Sequence, residues 1–415
     1  MQETSRYAVG IDIGTTTVRC VVGHVDPATG TPTIVGVGTA PNSGMRKGAV
    51  ANLTGPAHAI DEALGEAERM SGYQVDAATI SINGAHILST KADGMIAVGA
   101  LDHEIVEEDL ARIEEVATVG KVPANREILD VVPHSYKLDG QDNIKDPVGM
   151  TGTRLEISAN VVSALVPYVT NLQKTAEMAK VTPHSLTTAV VAAARAVLSE
   201  QQIENGVAVI DIGGATTSIA VFEEGDLQYV SVIPVGGVNI TNDLAIGLKT
   251  DPEIAEKVKL AHGSAVVRNS SEGVTVKQDK ETFNFAVSDI DDIVDARLEE
   301  LFEAIHKELK KAGRAGQLPS GVVLTGGTAN LKGIVDYAKQ SLGLAARRGS
   351  AKGFGGVAEN LEKPEFATVV GLMLLDAQNG ATRQGSGTHS ATQKGASAVK
   401  NAGGLVSKLL SKFKL

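Results

Sequence analysis

The length, composition and charge of the chain limit the classes to which it can belong. It has 415 residues, of which 43% are hydrophobic and 3% aromatic, it lacks Trp, and its net charge is −11. This composition supports aliphatic cores in two large or three smaller domains, whereas few aromatic rings and a negative charge argue against a nucleic-acid partner. The single cysteine, Cys20, excludes an internal disulfide and is typical of an inert core thiol in a reducing compartment.

One short phrase occurs twice. Residues 9–18 read VGIDIGTTTV, and residues 209–219 read VIDIGGATTSI. Each copy runs from apolar residues through an Asp, a glycine turn and hydroxyl residues back to apolar residues, which predicts a strand, a tight turn and a returning strand. An Asp at the end of an apolar strand needs a partner, often a hydrated cation, and glycine lets backbone N–H groups approach an anion.

Two such hairpins facing each other would clamp a polyphosphate and its Mg²⁺ from both sides. Asp12 and Asp211 are then expected to hold Mg²⁺ through water. The expected phosphate contacts are Gly14, Thr15, Thr16, Gly213, Gly214, Thr216 and Thr217. The second copy departs from the common DIGGGTTD pattern at Ala215 and Ser218, but it keeps both threonines.

The first half of the chain predicts strands and helices of an α/β domain, interrupted by an insert. We predict strands at 7–13, 33–39 and 78–82 and an amphipathic helix at 54–71. Residues 84–160 are predicted as an α+β insert, with short strands at 86–91, 95–98 and 127–132 around an acidic helix at 103–116. A strand at 161–165, a helix at 168–178 and an alanine-rich helix at 185–198 follow.

The second half repeats this plan. A strand at 230–235 ends in Gly236 and Gly237, and helices are predicted at 240–246, 252–261, 289–312 and 366–376. Residues 264–288 are predicted as a second, smaller insert with three short strands. Residues 321–331 predict a buried strand, a glycine turn and a capped helix start, which is a third anion- or nucleoside-binding geometry at Gly326, Gly327 and Thr328.

Glu256 and Lys259 lie three residues apart on the predicted helix 252–261. On its spacing alone this is a solvated salt bridge worth a few tenths of a kcal/mol.

The end of the chain differs from the rest in charge and pattern. Residues 377–415 contain six basic residues and no acidic one, and residues 380–404 are rich in Gly, Ser, Ala and Thr. Residues 405–415 predict an amphipathic helix, which favours an anionic membrane surface over docking into a partner groove. The expected membrane-binding residues are Leu405, Val406, Lys408, Leu409, Leu410, Lys412 and Phe413.

These features together carry a family resemblance. The two hairpins, VGMTG at 148–152 and PVGGVNITNDLA at 234–245 resemble the actin/Hsp70/sugar-kinase ATPase superfamily and, within it, the bacterial cell-division actin homologues of the FtsA family. The resemblance covers residues 6–376 and resumes at the terminal helix. It implies an α/β, actin-like ATPase fold with two α/β domains around a nucleotide cleft, a subdomain 1C in place of 1B, and a C-terminal amphipathic helix. It also implies that Glu256 and Lys259 contact the ribose of the nucleotide, as a similar pair does in related ATPases, with the solvated salt bridge as the alternative.

The resemblance also implies subdomain boundaries. The expected ranges are 6–83 with 161–198 and 359–380 for subdomain 1A, 84–160 for 1C, 199–245 with 301–358 for 2A, 246–300 for 2B, 381–404 for a flexible linker and 405–415 for the membrane-targeting helix.

The function that the resemblance implies is that of an ATP- and Mg²⁺-binding filament protein on the cytoplasmic face of the membrane at the division site. Its expected partners are other copies of itself, anionic lipids, later division proteins and the C-terminal peptide of FtsZ, the last through residues 246–288. No acid or base adjoins Ala189, where such ATPases orient the attacking water, so we expect at most a slow ATPase. The alternatives are an actin-like pilus-assembly ATPase and a small-molecule kinase.

Overall fold

The computed structural model describes residues 6–99, 104–268, 272–278, 281–356 and 361–385. The first half opens with a sheet interrupted by one helix. Its elements are β1 (Arg6–Ile13), β2 (Thr17–Val25), β3 (Pro32–Pro41), the short pair β4 (Met45–Arg46) and β5 (Ala49–Val50), α1 (Thr54–Ser71) and β6 (Ala77–Ile82).

An insert follows, after which the chain returns to the first sheet. The insert contains β7 (Leu88–Ala97), α2 (Glu107–Thr118), β8 (Arg126–Leu138), β9 (Gln141–Ile144) and β10 (Arg154–Leu165). The returning segment contains α3 (Val166–Met178), β11 (Thr182–Thr188), α4 (Ala189–Val197) and α5 (Glu200–Asn205). The insert forms its own four-stranded sheet in the order β7-β10-β8-β9, with α2 packed on it.

The second half repeats the plan of the first. Its elements are β12 (Val207–Ile212), β13 (Thr217–Glu223), β14 (Asp226–Ile233), α6 (Gly237–Gly247), α7 (Pro252–His262), β15 (Gly273–Gln278), β16 (Glu281–Ala286), α8 (Val287–Lys311), β17 (Val322–Thr325), α9 (Ile334–Leu342), β18 (Ala346–Arg348) and α10 (Ala367–Gly385). Short 3₁₀ turns lie at Gly327–Asn330 and Pro364–Phe366.

The two main sheets share one topology. Their strand orders are β11-β6-β1-β2-β3 and β14-β13-β12-β17-β18. In each, a central strand pairs antiparallel with the strand that follows it along the chain and parallel with a later strand on its other side. The carboxyl end of each central strand therefore lies beside the carboxyl end of its parallel neighbour, which is where ligand sites form in such sheets.

Packing joins the two halves. One core cluster includes Val9 and Ile80 of the first sheet together with Val209 and Phe222 of the second. The helices α4 and α10 cross at small residues, because a side chain at Gly371 would collide with the carbonyl oxygen of Ala192. The small residues of α4 thus allow its backbone to approach that of α10 closely. Cys20 is completely buried, and burial raises the pKa of its thiol, as expected of an inert core cysteine.

Several predictions about elements are wrong. The alanine-rich helix begins at Ala189 rather than 185, because Thr182–Thr188 pairs with β6 as a strand around an irregularity next to Pro183. The strands predicted at 86–91 and 95–98 are the single strand β7, and the strand predicted at 161–165 is the end of β10, within the insert's sheet. Described residues of 264–288 contain two strands, not three. Helix α10 continues to Gly385, past the predicted start of the linker.

Candidate functional site

The two hairpins meet face to face. A side chain at Gly214 would lie 2.8 Å from Cγ2 and Oγ1 of Thr16, so the second turn sits directly against the first. Both turns close with the same bond: Gly14 N donates to Thr17 O (3.1 Å) and Gly213 N donates to Thr216 O (2.9 Å). The structure therefore brings together the two copies of the repeated phrase, which lie about 200 residues apart in the sequence.

A carboxylate stands at the base of each hairpin. Asp12 accepts a hydrogen bond from Ser81 Oγ (2.8 Å), and Asp211 accepts one from Thr325 Oγ1 (3.3 Å). Burial raises the pKa of Asp12, although Arg19 opposes this, and burial together with the charge of Asp12 raises the pKa of Asp211 to about 7. Two carboxylates that raise each other's cost of ionisation form a place where a divalent cation would be stabilised.

The donor set fits a cation held largely through water. Within the described ranges, no group of three or more His, Cys, Asp or Glu residues is arranged to hold a metal directly. Mg²⁺ keeps several waters and commonly takes only one or two carboxylates together with phosphate oxygens. Asp12 and Asp211 could supply such carboxylates, and their role in holding Mg²⁺ through water stays a prediction.

Glycines pack the second hairpin tightly. A Cβ at Gly236 would lie 2.6 Å from Gly213 O, and one at Gly326 would lie 2.5 Å from both Asp211 Oδ1 and Ile212 O. Gly326 also has a φ of +85°, a conformation that favours glycine. The backbone N–H of Gly237, at the start of α6, donates to Gly213 O (2.9 Å).

Three predicted contact residues have their hydroxyl groups engaged by the protein. Thr217 is completely buried and donates to Val235 O (2.9 Å), and Thr328 donates to Gly213 O (3.1 Å). Thr15 accepts a bond from Gly48 N (3.1 Å). In this arrangement the Thr217 hydroxyl holds the segment between β14 and α6 rather than facing the cleft, contrary to the expectation that it contacts phosphate. Thr328 stabilises the turn. Gly327 has open space around its Cα.

Glu256 and Lys259 form more than a solvated pair. Lys259 Nζ lies 2.6 Å from Glu256 Oε2 and donates to Thr241 Oγ1 (2.9 Å) and Gly237 O (3.2 Å), and its side chain is 13% exposed. The hydroxyl of Thr241 also bonds Glu256. The pair thus ties α7 to the first turn of α6, beside the second hairpin.

Sequence reasoning missed the polar residues that complete the site. Asn83 bonds Thr216 and Ser218 of the second hairpin, Asn42 Nδ2 donates to Gly14 O (2.7 Å), and Ser81 and Thr325 bond the two carboxylates. A usable signal exists for two of them. Thr325 lies opposite Asp211 in the register of parallel strands, and Ser81 and Asp12 each directly follow the paired residues Ile80 and Ile11, at the strand ends where ligand sites form.

The start of α4 offers no proton acceptor. Ala189 is buried, and the residues before it, Thr187 and Thr188, are also buried. His184 lies in β11, with its Nδ1 3.4 Å from Asp376 Oδ1. The predicted membrane-binding residues, 405–413, lie outside the described residues. Among the helices described, none has the length and hydropathy needed to cross a bilayer.

Solved structures share this fold. A type IV pilus biogenesis complex, PilM–PilN, aligns with a TM-score of 0.66 at 19% identity, over 89% of this chain and 98% of the other. The ADP-bound MreB5 of Spiroplasma citri aligns with a TM-score of 0.54 at 13% identity, over 91% of this chain and 98% of the other. These likenesses confirm the predicted actin-like ATPase fold.

Sequence comparisons give the family. A family model described as cell division protein FtsA matches residues 208–371, and one described as the SHS2 domain inserted in FtsA matches residues 84–163. Cell division protein FtsA of Bacillus subtilis is 36% identical over 375 residues, covering 89% of this chain and 83% of the relative. The FtsA proteins of Pseudomonas aeruginosa and Escherichia coli are 33% and 30% identical, covering 91% and 89% of this chain and 90% of each relative. The chain belongs to the FtsA family.

Proposed function

We propose that this protein binds Mg-ATP between its two halves, polymerises, and tethers the FtsZ ring to the cytoplasmic membrane during bacterial cell division, where it recruits later division proteins. The observation that carries the nucleotide part is the contact of the two hairpins across the cleft, with a carboxylate at the base of each. Membership of a family whose relatives are named for cell division supports the rest.

Bound ATP acts mainly as a structural ligand in this proposal. The start of α4 carries no side chain that could take a proton from an attacking water, and general-base assistance is worth roughly 10²- to 10⁴-fold in rate. Hydrolysis is therefore slow, and ATP serves to hold the two halves in the arrangement that polymerises.

A groove in the second half is the proposed docking site for the C-terminal peptide of FtsZ. It has a volume of about 560 Å³ and lies between the end of α6, the start of α7 and β16. Its apolar lining residues are Ala245, Ile246, Leu248, Ile254, Phe283 and Phe285. Ile246 is 77% exposed, so it offers apolar surface to a partner without supporting the core.

Ile246→Glu tests this docking site. We expect it to weaken binding of a fluorescent FtsZ C-terminal peptide at least tenfold, measured by anisotropy, because it buries a charge in the interface. Leu260→Glu is the matched control, since Leu260 is 75% exposed on α7 but does not line the groove. Equal effects of the two variants would contradict this assignment.

Residues 405–415 are the proposed membrane anchor. Burial of five apolar side chains at a membrane interface favours binding, and each lysine adds about 1 kcal/mol of binding free energy on anionic lipid. The entropy cost of ordering eleven residues, about 1–2 kcal/mol each, offsets this gain. One monomer therefore binds weakly, and a filament binds strongly because its subunits insert together.

Co-sedimentation with phosphatidylglycerol vesicles, with and without Mg-ATP, tests the proposal as a whole. We expect binding that rises steeply with protein concentration and requires ATP, and that is lost in Leu409→Glu but retained in Ser407→Gln. Binding of Leu409→Glu equal to that of the wild type, or failure of the wild type to bind Mg-ATP, would overturn it.

A further inference from the structure

The residue between β6 and the insert reaches into the second hairpin. Asn83 follows the last residue of β6 directly, so it belongs to the first half of the chain. Its Nδ2 lies 3.2 Å from Thr216 Oγ1, and its Oδ1 lies 3.0 Å from Ser218 Oγ. Both partners lie in the hairpin that links β12 and β13, in the second half.

We propose that Asn83 is a positioning residue that makes Thr216 a hydrogen-bond donor toward a phosphate group in the cleft. The inference rests on the proposed nucleotide site. In this role Asn83, a residue of the first half, orients the hydroxyl of Thr216 in the second half, and Asn83 does not itself have to contact the ligand.

The direction of each hydrogen bond follows from the backbone. Gly84 N–H can only donate, and it lies 2.8 Å from one terminal atom of the Asn83 side chain, which must therefore be the oxygen. The other terminal atom is then the NH₂ group, which can only donate. Thr216 Oγ1 consequently accepts from Asn83, and Ser218 donates to the Asn83 oxygen.

This pattern leaves the hydroxyl hydrogen of Thr216 uncommitted. Thr216 Oγ1 has Asn83 as its hydrogen-bond partner among the described residues, and the residue is only 4% exposed, so few water molecules can reach the hydroxyl group. Phosphate oxygens accept hydrogen bonds, and the polarised chain from Asn83 through Thr216 strengthens the final donor. The hydroxyl of the neighbouring Thr217 donates its hydrogen to Val235 O and is not available to a ligand.

The geometry also explains why this donor would depend on the cleft being closed. The amide that sets Thr216 comes from the opposite half, at the same place where Thr16 touches Gly214. Separation of the halves would remove the amide and free the hydroxyl to rotate. Phosphate binding and contact between the halves would therefore favour each other.

A double-mutant cycle on the full chain tests the inference, with Mg-ATP titrated by calorimetry into wild type, Asn83→Ala, Thr216→Val and the double variant. We expect losses of about tenfold for Asn83→Ala and about thirtyfold for Thr216→Val, with the double variant within twofold of Thr216→Val. A role of Asn83 that does not pass through Thr216 would instead make the two losses multiply.

Ser218→Ala is the matched control, because Gly84 still holds the Asn83 amide in place, and we expect its affinity to stay within twofold of the wild type. If Asn83→Ala does not fold, Asn83→Asp replaces it. That carboxylate is isosteric but would draw the Thr216 hydrogen away from the cleft, so we expect at least a tenfold loss, reduced when Thr216 is already Val.

The results separate this inference from the proposed function. A wild type that does not bind Mg-ATP would overturn both. A wild type that binds, with Asn83→Ala unchanged or with losses that multiply, would overturn the role of Asn83 alone.

Discussion

The two hairpins share a sequence and a hydrogen-bonding pattern but differ in their surroundings. In the first, Thr16 is exposed and Thr15 is partly exposed. In the second, Thr216 and Thr217 are buried, with 4% and 0% exposure. The first hairpin is held by a loop, through Asn42 and Gly48, whereas the second is enclosed by three glycines, a helix start and the 3₁₀ turn that carries Thr328.

This difference shows that two copies of one motif can contribute differently to stability and ligand binding. The first hairpin is an accessible edge whose hydroxyl groups can adjust to a ligand. The second is a fixed wall that is already packed and hydrogen-bonded, apart from the hydroxyl hydrogen of Thr216, and such preorganised sites lose the least conformational freedom on binding. Substitutions in the supports of the second hairpin should therefore cost more than substitutions in the first.

The largest effect is expected at Gly326. Gly326→Ala places a methyl group 2.5 Å from Asp211 Oδ1 and Ile212 O at a φ of +85°, so the free energy of unfolding should fall by about 3 kcal/mol and Mg-ATP binding should be lost. Gly327→Ala is the neighbouring control, since nothing lies within 4 Å of its added Cβ, and its stability should change by less than about 1 kcal/mol. Urea unfolding measures both, and equal losses would refute the fixed-wall description.

The next effect concerns the carboxylates and has opposite signs for stability and binding. The folded pKa of Asp211, about 7, lies above its ordinary value of 3.8, so ionised Asp211 destabilises the nucleotide-free protein. That penalty is absent below about pH 4, grows as the pH rises, and is complete above about pH 7. Asp211→Asn should therefore raise the unfolding free energy at pH 8 by roughly 2–4 kcal/mol and remove this pH dependence.

Asp12→Asn is the comparison within the pair. Asp12 is only partly buried, and Arg19 opposes the rise in its pKa, so its stability gain should be smaller. Both variants should nevertheless bind Mg-ATP more weakly than the wild type. A stability loss in nucleotide-free Asp211→Asn would contradict the reading of the two carboxylates as a cation site.

The smallest effect is expected in the outer support of the second hairpin. Lys259→Ala removes the bonds to Thr241 and Gly237 O, so Mg-ATP affinity should fall about threefold to tenfold. Lys257→Ala on the same helix is the control, because Lys257 is exposed. Calorimetric titration compares the two variants. An unchanged affinity in Lys259→Ala would show that Lys259 does not support the second hairpin and that only the glycines around it do.

The sequence predicts what local pattern determines. Helix α1 has the predicted bounds, 54–71, and both hairpins form at the repeated phrase, because periodicity and glycine turns act over a few residues. Strand β11 was inaccessible to such reasoning, since its strand character comes from pairing with β6, about a hundred residues earlier. Asn83 was missed for the same reason: its partner Thr216 lies 133 residues away.

The central claim, that both hairpins hold one ligand, is tested most directly by hydrogen exchange followed by mass spectrometry on the full chain. We predict that Mg-ATP slows exchange together in peptides covering residues 9–18 and 209–219, with the larger change in the first, because the second is already enclosed. Asp211→Asn should reduce the protection in both peptides. Protection confined to one hairpin, or absent from both while Mg-ATP is bound, would contradict the two-sided clamp.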